Sequence, residues 1–244
     1  MATRKRLRRI VEEVYHIPYY GGAEKRFGGY LNEIRAFLNE QRFPNEKTYL
    51  TECDRIAKLV EDIGSFMFNE DEGKHHNKVQ LAMWHLTRRI LAENPKIFVV
   101  HGRNVDVRNA VTSVLGKLKL DFEVLEDRNN SGATVVEKFL ECAEECDFAI
   151  VLMTADDEGG LRGETQRSLR ARQNVILELG YFIRHVGRKN IIIMHEDGVH
   201  IENPTDLSGI VHIHYDRSGG WKRSVLKDME AAGIYIHPPY ARTV

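Results

Sequence analysis

The stretch that decides the fold is Phe148–Met153, FAIVLM, the longest uninterrupted apolar run in the chain. Six residues are the length of a strand that is buried on both faces, and they are far too few to span a bilayer. The polar segment Thr154–Gly160 follows the run directly. A buried strand with a polar loop at its carboxyl end is typical of α/β proteins, whose ligands bind at that end of the sheet.

Short apolar segments on either side of this run alternate with segments that have helical periodicity. We predict strands at 96–101, 122–125, 190–194 and 210–215, and helices at 105–118, 134–145, 173–186 and 221–232. Thr134 followed by Glu137 has the spacing of a capping box at a helix start. The alternation predicts an α/β fold with a five-stranded, flavodoxin-like parallel sheet and helices on both faces.

The first 94 residues have a different pattern, in which apolar residues recur at helical spacing and no strand is evident. We expect four helices, around 10–14, 27–38, 56–67 and 79–90, separated by loops at 21–22, 44–45 and 70–73. The predicted organisation is therefore an all-α helical domain at 1–94 and an α/β domain at 95–244. The basic start, Arg4–Arg9, suits a solvated helix end or a contact with nucleic acid or an acidic partner.

The composition is that of an ordinary folded protein. Among 244 residues, 35 Lys and Arg against 36 Asp and Glu give a net charge of -1, and 42% are hydrophobic. This balance excludes a generic strongly basic DNA-binding protein. Three cysteines are too few for a disulfide framework, and the start lacks the apolar region of a signal peptide. We therefore expect a cytoplasmic protein without a membrane segment.

Two of the predicted strands end in residues that could bind a ligand. His101, Gly102 and Arg103 follow the first strand, where glycine permits close backbone approach and arginine can hold a phosphate. Asp156 and Asp157 follow the third strand and could bind ribose hydroxyls or a metal. Each group also suits an ordinary solvated turn. No phosphate-loop or nucleophile motif is present, and no set of residues has the spacing of a zinc site.

The predicted helix at 173–186 carries an isolated carboxylate. Glu178 is the only charged residue between Arg172 and Arg184, and it shares a helix stripe with Asn174. A carboxylate beside so much apolar surface is costly unless it is paired or near solvent. Gly180 in a helix costs about 1 kcal/mol relative to alanine, which predicts that something approaches the helix closely there. Position alone fits a functional acid and an acid favoured by the helix dipole equally well.

These pieces, in this order, resemble the bacterial TIR-like domains described as nucleotide-binding proteins. That family also supplies the TIR modules fused to bacterial STING and to other anti-phage effectors. The resemblance rests on FVVHGR at 98–103, GATVVEK at 132–138, FAIVLMTADD at 148–157, RARQNVILELGYF at 170–182, DLSG at 206–209 and GW at 220–221. It extends to about residue 234, and Ala155 stands where the family pattern has proline. Residues 1–94 match no family that we can name.

The resemblance implies a TIR fold and, for active members, NAD+ glycohydrolase activity with no other cofactor and no metal. The glutamate of the N-V-x-x-E-L-G motif is the catalytic residue of such members and corresponds to Glu178. His101, Gly102 and Arg103 would face the diphosphate or adenosine, and Asp156 and Asp157 the hydroxyls. Arg172 and Asn174 are further substrate-binding candidates.

The resemblance also implies activity through TIR–TIR assembly into a homo-oligomer. The loop at 127–133, with Arg128, Asn129 and Ser131, would then help to complete a neighbour's site. Residues 1–94 are expected to sense an activating ligand or to oligomerise. Two alternatives stay open: a non-catalytic nucleotide-binding or scaffold module, and an N-glycosidic enzyme similar to nucleoside deoxyribosyltransferases.

Overall fold

The computed structural model describes residues 3–18, 22–41, 45–63, 70–125, 134–163, 165–207, 209–236 and 241. The chain divides into two compact units, Met1–Asn94 and Pro95–Val244. The division falls where the sequence pattern changes from helical periodicity to alternating strands and helices. The two units are called the helical unit and the α/β unit below.

The described residues of the helical unit form four helices: α1 Arg4–Glu13, α2 Ala23–Glu40, α3 Glu46–Ile63 and α4 Glu70–Glu93. A 3-10 turn, Val14–His16, follows α1. The apolar stripe of each helix is buried in one core, which includes Ile10, Phe27, Ile56 and Met83. The loop predicted at 70–73 is wrong, since these residues form the first turn of α4.

The basic start of the chain has a structural role within the helical unit. Arg4 is 4% exposed, and its guanidinium donates hydrogen bonds to the carbonyl oxygens of Leu91 and Asn94 at the end of α4. These carbonyls have no partner inside the helix, so a buried cation satisfies them and complements the dipole. Arg6 pairs with both carboxylate oxygens of Glu33 at 2.6 and 2.7 Å. The interpretation of the start as a solvated helix end is therefore wrong for Arg4.

The α/β unit contains seven strands and four helices in its described part. They are β1 Lys96–Val100, α5 Val105–Lys117, β2 Asp121–Val124, α6 Val135–Glu144, β3 Phe148–Met153, β4 Asp157–Gly159, β5 Ser168–Arg170, α7 Gln173–His185, β6 Ile191–Glu196, β7 Val211–Tyr215 and α8 Trp221–Ala231. Five strands form a parallel sheet in the order β2-β1-β3-β6-β7. This architecture confirms the predicted fold class, including the all-α region before it.

The position of β3 explains its unbroken apolar sequence. It pairs with β1 on one side and β6 on the other, and all six of its residues are buried. Its alternate residues contribute to two cores, with Ile150 beside Trp221 on one face and Val151 beside Phe182 on the other. A strand covered on both faces has no solvent side, so no polar residue interrupts it.

The connection between β3 and α7 contains a hairpin that we did not predict. Strands β4 and β5 pair antiparallel, with Asp157 opposite Arg170 and Gly159 opposite Ser168. The Arg170 side chain lies against Gly159, where an added Cβ would be 2.2 Å from the guanidinium Nη1. Three-residue polar strands show no apolar alternation, so periodicity cannot find them.

Three histidines lie together on β6 and the edge strand β7. His195 Nε2 is 2.7 Å from His212 Nδ1, and the ring centroids of His195 and His214 are 5.6 Å apart. His195 is 7% exposed. Its burial, together with the neighbouring His212 and His214, lowers the pKa of His195 to about 4.

The stability of the α/β unit should therefore fall as the pH is lowered from 6.5 towards 4. In this window the unfolded chain binds a proton at His195 that the folded protein does not. His195→Gln removes the titration, so its thermal midpoint should fall less steeply over this range in scanning calorimetry. The matched control is His200→Gln at an exposed site, which should keep the slope of the parent. Equal slopes in all three proteins would contradict the prediction.

None of the described helices is both long enough and apolar enough to cross a membrane.

Candidate functional site

A cluster of polar residues lies beyond the carboxyl ends of β1 and β3. In the strand order β2-β1-β3, the chain leaves β1 for one face of the sheet and β2 for the other, which makes the gap between β1 and β3 the topological switch point. Gly102 is so close to Asp156 that an added Cβ would be 1.7 Å from the carboxylate Oδ2. Arg103 Nη1 is 3.6 Å from Asp157 Oδ1. The structure thus brings together two segments that are about fifty residues apart in sequence.

The carboxylate of Asp156 is held in place by its own loop. The Thr154 hydroxyl donates a hydrogen bond to Asp156 Oδ2 at 2.8 Å. The Asp156 backbone N–H donates to the Thr154 carbonyl at 2.9 Å. Thr154 is buried, and Asp156 is half-buried. An acceptor that is oriented in this way is suited to binding a hydroxyl group of a ligand.

His101 joins the ends of β1 and β2. Its Nδ1 is 2.8 Å from the Gly102 carbonyl oxygen, and its Nε2 is 3.2 Å from the Leu125 carbonyl oxygen. The ring is half-buried. Its two contacts fix the loop after β1, so His101 orders the backbone at Gly102 in addition to any contact with a ligand.

Two residues of the cluster were missed by the sequence reasoning. Asn104 caps α5 by accepting a hydrogen bond from the Val107 N–H at 3.2 Å, and its amide donates to Glu196 Oε1 at 3.4 Å. The N-cap preference for asparagine directly before a helical pattern could have found it. The second is Thr154, whose signal is a hydroxyl two residues before an acid at the end of a buried strand.

Helix α7 carries the remaining site residues of the described part. Phe182 packs on Phe98 of β1 with ring centroids 5.0 Å apart, and Tyr181 packs on Phe139 of α6 at 5.1 Å. Glu178, one turn before these rings, is half-buried. The stripe that holds Glu178 and Tyr181 therefore lies on the side of α7 that faces α6.

Two more of the predicted site residues lie at the start of α7. Arg172 is the N-cap residue and is half-buried, whereas Asn174 is exposed in the first turn. The structure thus groups His101, Gly102, Arg103, Asp156 and Asp157 at the ends of β1 and β3. Arg172 directly precedes α7, and Asn174 and Glu178 lie on it. Arg128, Asn129 and Ser131 lie outside the described residues. Within the described part, no group of His, Cys, Asp and Glu has the arrangement of a metal site.

The expectation of close approach at Gly180 is wrong. Among the described residues, no atom lies within 4 Å of an added Cβ at Gly180, and the residue is exposed. Leu177, on the same side of α7, is 68% exposed. A glycine in this position is therefore not required by packing within the chain.

Gly180→Ala should raise the free energy of unfolding of the α/β unit by about 0.5–1 kcal/mol. Alanine loses less backbone entropy in a helix, and open space surrounds the site. Urea unfolding followed by circular dichroism measures the change. Gly187→Ala is the matched control, because its positive φ of 82° strains an alanine and should destabilise the protein. A loss of stability in Gly180→Ala would contradict the geometry.

A family comparison covers the part of the chain that contains this site. The model of the family "CAP12/Pycsar effector protein, TIR domain" matches residues 96–217. The match runs from β1 to just beyond β7, and it includes every residue of the cluster and α7. It covers half of the chain.

Similar proteins come from bacteria and from an amoeba. The chain is 38% identical over 139 residues to "Uncharacterized protein YuaY" of Escherichia coli, covering 57% of this chain and 46% of that protein. It is 31% identical over 131 residues to "Protein tirC" of Dictyostelium discoideum, covering 50% and 65%. It is 38% identical over 80 residues to "Pycsar effector protein PaPycTIR" of Pseudomonas aeruginosa, covering 33% and 25%. The chain therefore spans less than two thirds of each of these relatives.

Proposed function

Because this chain belongs to the family of CAP12/Pycsar effector TIR domains, we propose that it is an NAD+ glycohydrolase that acts in defence against phage. NAD+ is the substrate, no other cofactor takes part, and the products are nicotinamide and ADP-ribose. Membership of the family agrees with the resemblance found in the sequence, and three relatives carry the name Pycsar effector.

The observation that carries the proposal is the half-buried carboxylate of Glu178 on α7, with buried Val175, Leu179 and Phe182 around it. Hydrolysis of glycosides with poor leaving groups needs two carboxyl groups, one of which protonates the departing oxygen. The nicotinamide of NAD+ is already cationic. When the ribose–nitrogen bond breaks, its electron pair returns to the ring, and nicotinamide departs neutral without a proton.

A single carboxylate is therefore sufficient. The ribose carbon gains positive charge as the bond breaks, and a fixed negative charge nearby lowers the energy of that state. Water then adds to the ribose carbon and releases one proton. Glu178 stabilises the charge and orients the ribose hydroxyls in this scheme.

The cluster at the ends of β1 and β3 would hold the rest of NAD+. Gly102 allows the Asp156 carboxylate to lie against the backbone at the end of β1, and Arg103 supplies the positive charge that a diphosphate needs. Asp156, which Thr154 orients, accepts hydrogen bonds from hydroxyl groups, and Asp157 balances Arg103. Arg172 and Asn174 contribute from the start of α7.

The proposed activity depends on assembly of the chain and is controlled by the helical unit. The chain acts as a homo-oligomer through TIR–TIR contacts, in which Arg128, Asn129 and Ser131 help to complete a neighbour's site. The helical unit holds the activity off until an activating ligand binds.

The test is incubation of the purified full chain with NAD+ at low and high protein concentration, with chromatography of the products. Release of nicotinamide that rises more steeply than protein concentration supports both cleavage and assembly. Parallel incubation with deoxynucleosides and free bases detects the base exchange of a deoxyribosyltransferase. Tight NAD+ binding without product at any concentration would instead indicate a non-catalytic binding module.

A further inference from the structure

An open groove of about 950 Å³ lies between α3 and α4 of the helical unit. This volume is within the range of small-molecule sites in proteins. The residues that matter for its chemistry are four permanent cations, one carboxylate and one indole ring. They are Glu52, Arg55, Lys78, Trp84, Arg88 and Arg89.

Positive charge is concentrated in this groove. Residues 1–94 contain 16 Lys and Arg and 14 Asp and Glu, a net charge of +2. The lining has four cations and one carboxylate, a net charge of +3. The rest of residues 1–94 has 12 cations and 13 carboxylates, a net charge of -1, so the positive charge of this part of the chain is concentrated in the groove. A concave surface that is lined mainly by charges of one sign attracts ligands of the opposite sign.

Three of the four cations have no carboxylate partner among the described residues. Arg89 pairs with Glu52 at 2.9 Å and with Glu93 at 3.6 Å. Among the described residues, no carboxylate pairs with Arg55, Lys78 or Arg88. Cations without an internal partner stay ready to bind anionic oxygen atoms.

The groove also contains two stacked planar groups, an indole ring and a guanidinium, which together form a flat surface. The guanidinium carbon of Arg88 lies 4.6 Å from the centroid of the Trp84 ring. Trp84 is half-buried, so its position is set by packing, whereas Arg88 is exposed. A guanidinium held on an indole loses little freedom on binding, and both planar groups stack on nucleobases.

We propose that the groove between α3 and α4 binds a nucleotide that carries two or more negative charges. Its base stacks on the Trp84–Arg88 pair, and its phosphates contact Arg55 and Lys78. An acidic peptide would use the cations but not the flat surface. The site goes beyond the proposed cleavage of NAD+ by the α/β unit and stands without it.

The test is fluorescence anisotropy with N-methylanthraniloyl-ADP on the full chain carrying Glu178→Gln, so that NAD+ cleavage plays no part. This Glu178→Gln protein is the parent of the variants below. It should bind the probe, and its affinity for the probe should fall as the salt concentration is raised. The double variant Arg55→Glu/Lys78→Glu should bind about tenfold or more weakly. The conservative variant Arg55→Lys/Lys78→Arg should retain binding.

The matched control is Lys47→Glu/Lys58→Glu, which makes the same charge change at exposed positions of α3 outside the groove. Its affinity should stay within about twofold of the parent. The proposal is overturned if the parent does not bind the probe, or if both double variants lose binding equally. It is also overturned if Arg55→Glu/Lys78→Glu binds the probe as tightly as the parent, since the probe then binds the α/β unit. Binding of a twelve-residue oligouridylate without binding of the nucleotide would also overturn it, since that result describes a nucleic-acid surface.

Discussion

Replacing Glu178 with glutamine should reduce nicotinamide release from NAD+ roughly a hundredfold to a thousandfold. Glutamine keeps the size and most of the hydrogen-bonding capacity of the side chain but removes its negative charge. If the charge stabilises a cationic ribose in the transition state, its loss lowers kcat while substrate binding changes little. The expected signature is therefore a reduced kcat with a KM close to that of the parent.

The control for this change is Glu230→Gln. Glu230 is exposed on α8, which packs on the opposite face of the sheet from α7. That variant should retain the parental rate, and both variants should match the parent in circular dichroism and thermal midpoint. Unchanged nicotinamide release by Glu178→Gln would remove Glu178 from the chemistry, even if NAD+ cleavage itself were established.

The second large effect is expected at Gly102. Its φ is not positive, so alanine is not excluded by the backbone. The obstacle is the side chain of Asp156, because an added Cβ would lie 1.7 Å from Oδ2 and 2.7 Å from Cγ. Gly102→Ala should displace Asp156 from its hydrogen bond with Thr154, lower the free energy of unfolding by about 1–3 kcal/mol and reduce NAD+ turnover.

A double variant separates the steric effect from other causes. Asp156→Ala in the Gly102→Ala background removes the obstructing carboxylate and should recover most of the lost stability, but not the activity. Gly116→Ala in α5, where no described atom lies within 4 Å of an added Cβ, is the matched control and should not destabilise the protein; as at Gly180, alanine should raise the free energy of unfolding by up to about 1 kcal/mol. Chemical unfolding and NAD+ turnover of the four proteins complete the measurement. A destabilisation by Gly102→Ala that persists in the double variant would show that contact with Asp156 is not its cause.

Several elements of the fold were predictable because their physical signals are local. The capping box at the start of α6 is present, with Thr134 and Glu137 bonded to each other's backbone N–H groups. The apolar run 148–153 is the central buried strand, since only a strand covered on both faces is free of polar residues. Periodicity indicated the four helices described in residues 1–94, although α1 begins earlier, at Arg4, and α4 earlier, at Glu70, than the pattern indicated.

Other features could not be read from local patterns. The β4–β5 hairpin depends on packing of Arg170 over Gly159, and neither residue indicates the other in sequence. At Gly180 the sequence suggested a contact that the described structure does not contain. A glycine within a helix was interpreted as a sign of close packing, but the position is open. Arg4 lies in a run of basic residues, which usually indicates a solvated surface. In the structure it donates hydrogen bonds to carbonyl oxygens at the end of α4, about ninety residues away in sequence.

The sequence by itself determined the alternation of strands and helices, the boundary near residue 94 and the isolated carboxylate at 178, because periodicity, composition and motif order are properties of the chain. Only the tertiary structure decided that Gly102 meets Asp156 and that Arg103 meets Asp157. The physical reason is strand order. Since β1 and β3 are neighbours and parallel, their carboxyl ends meet at one edge of the sheet, and hydrogen bonds across the strands set which residues face each other there.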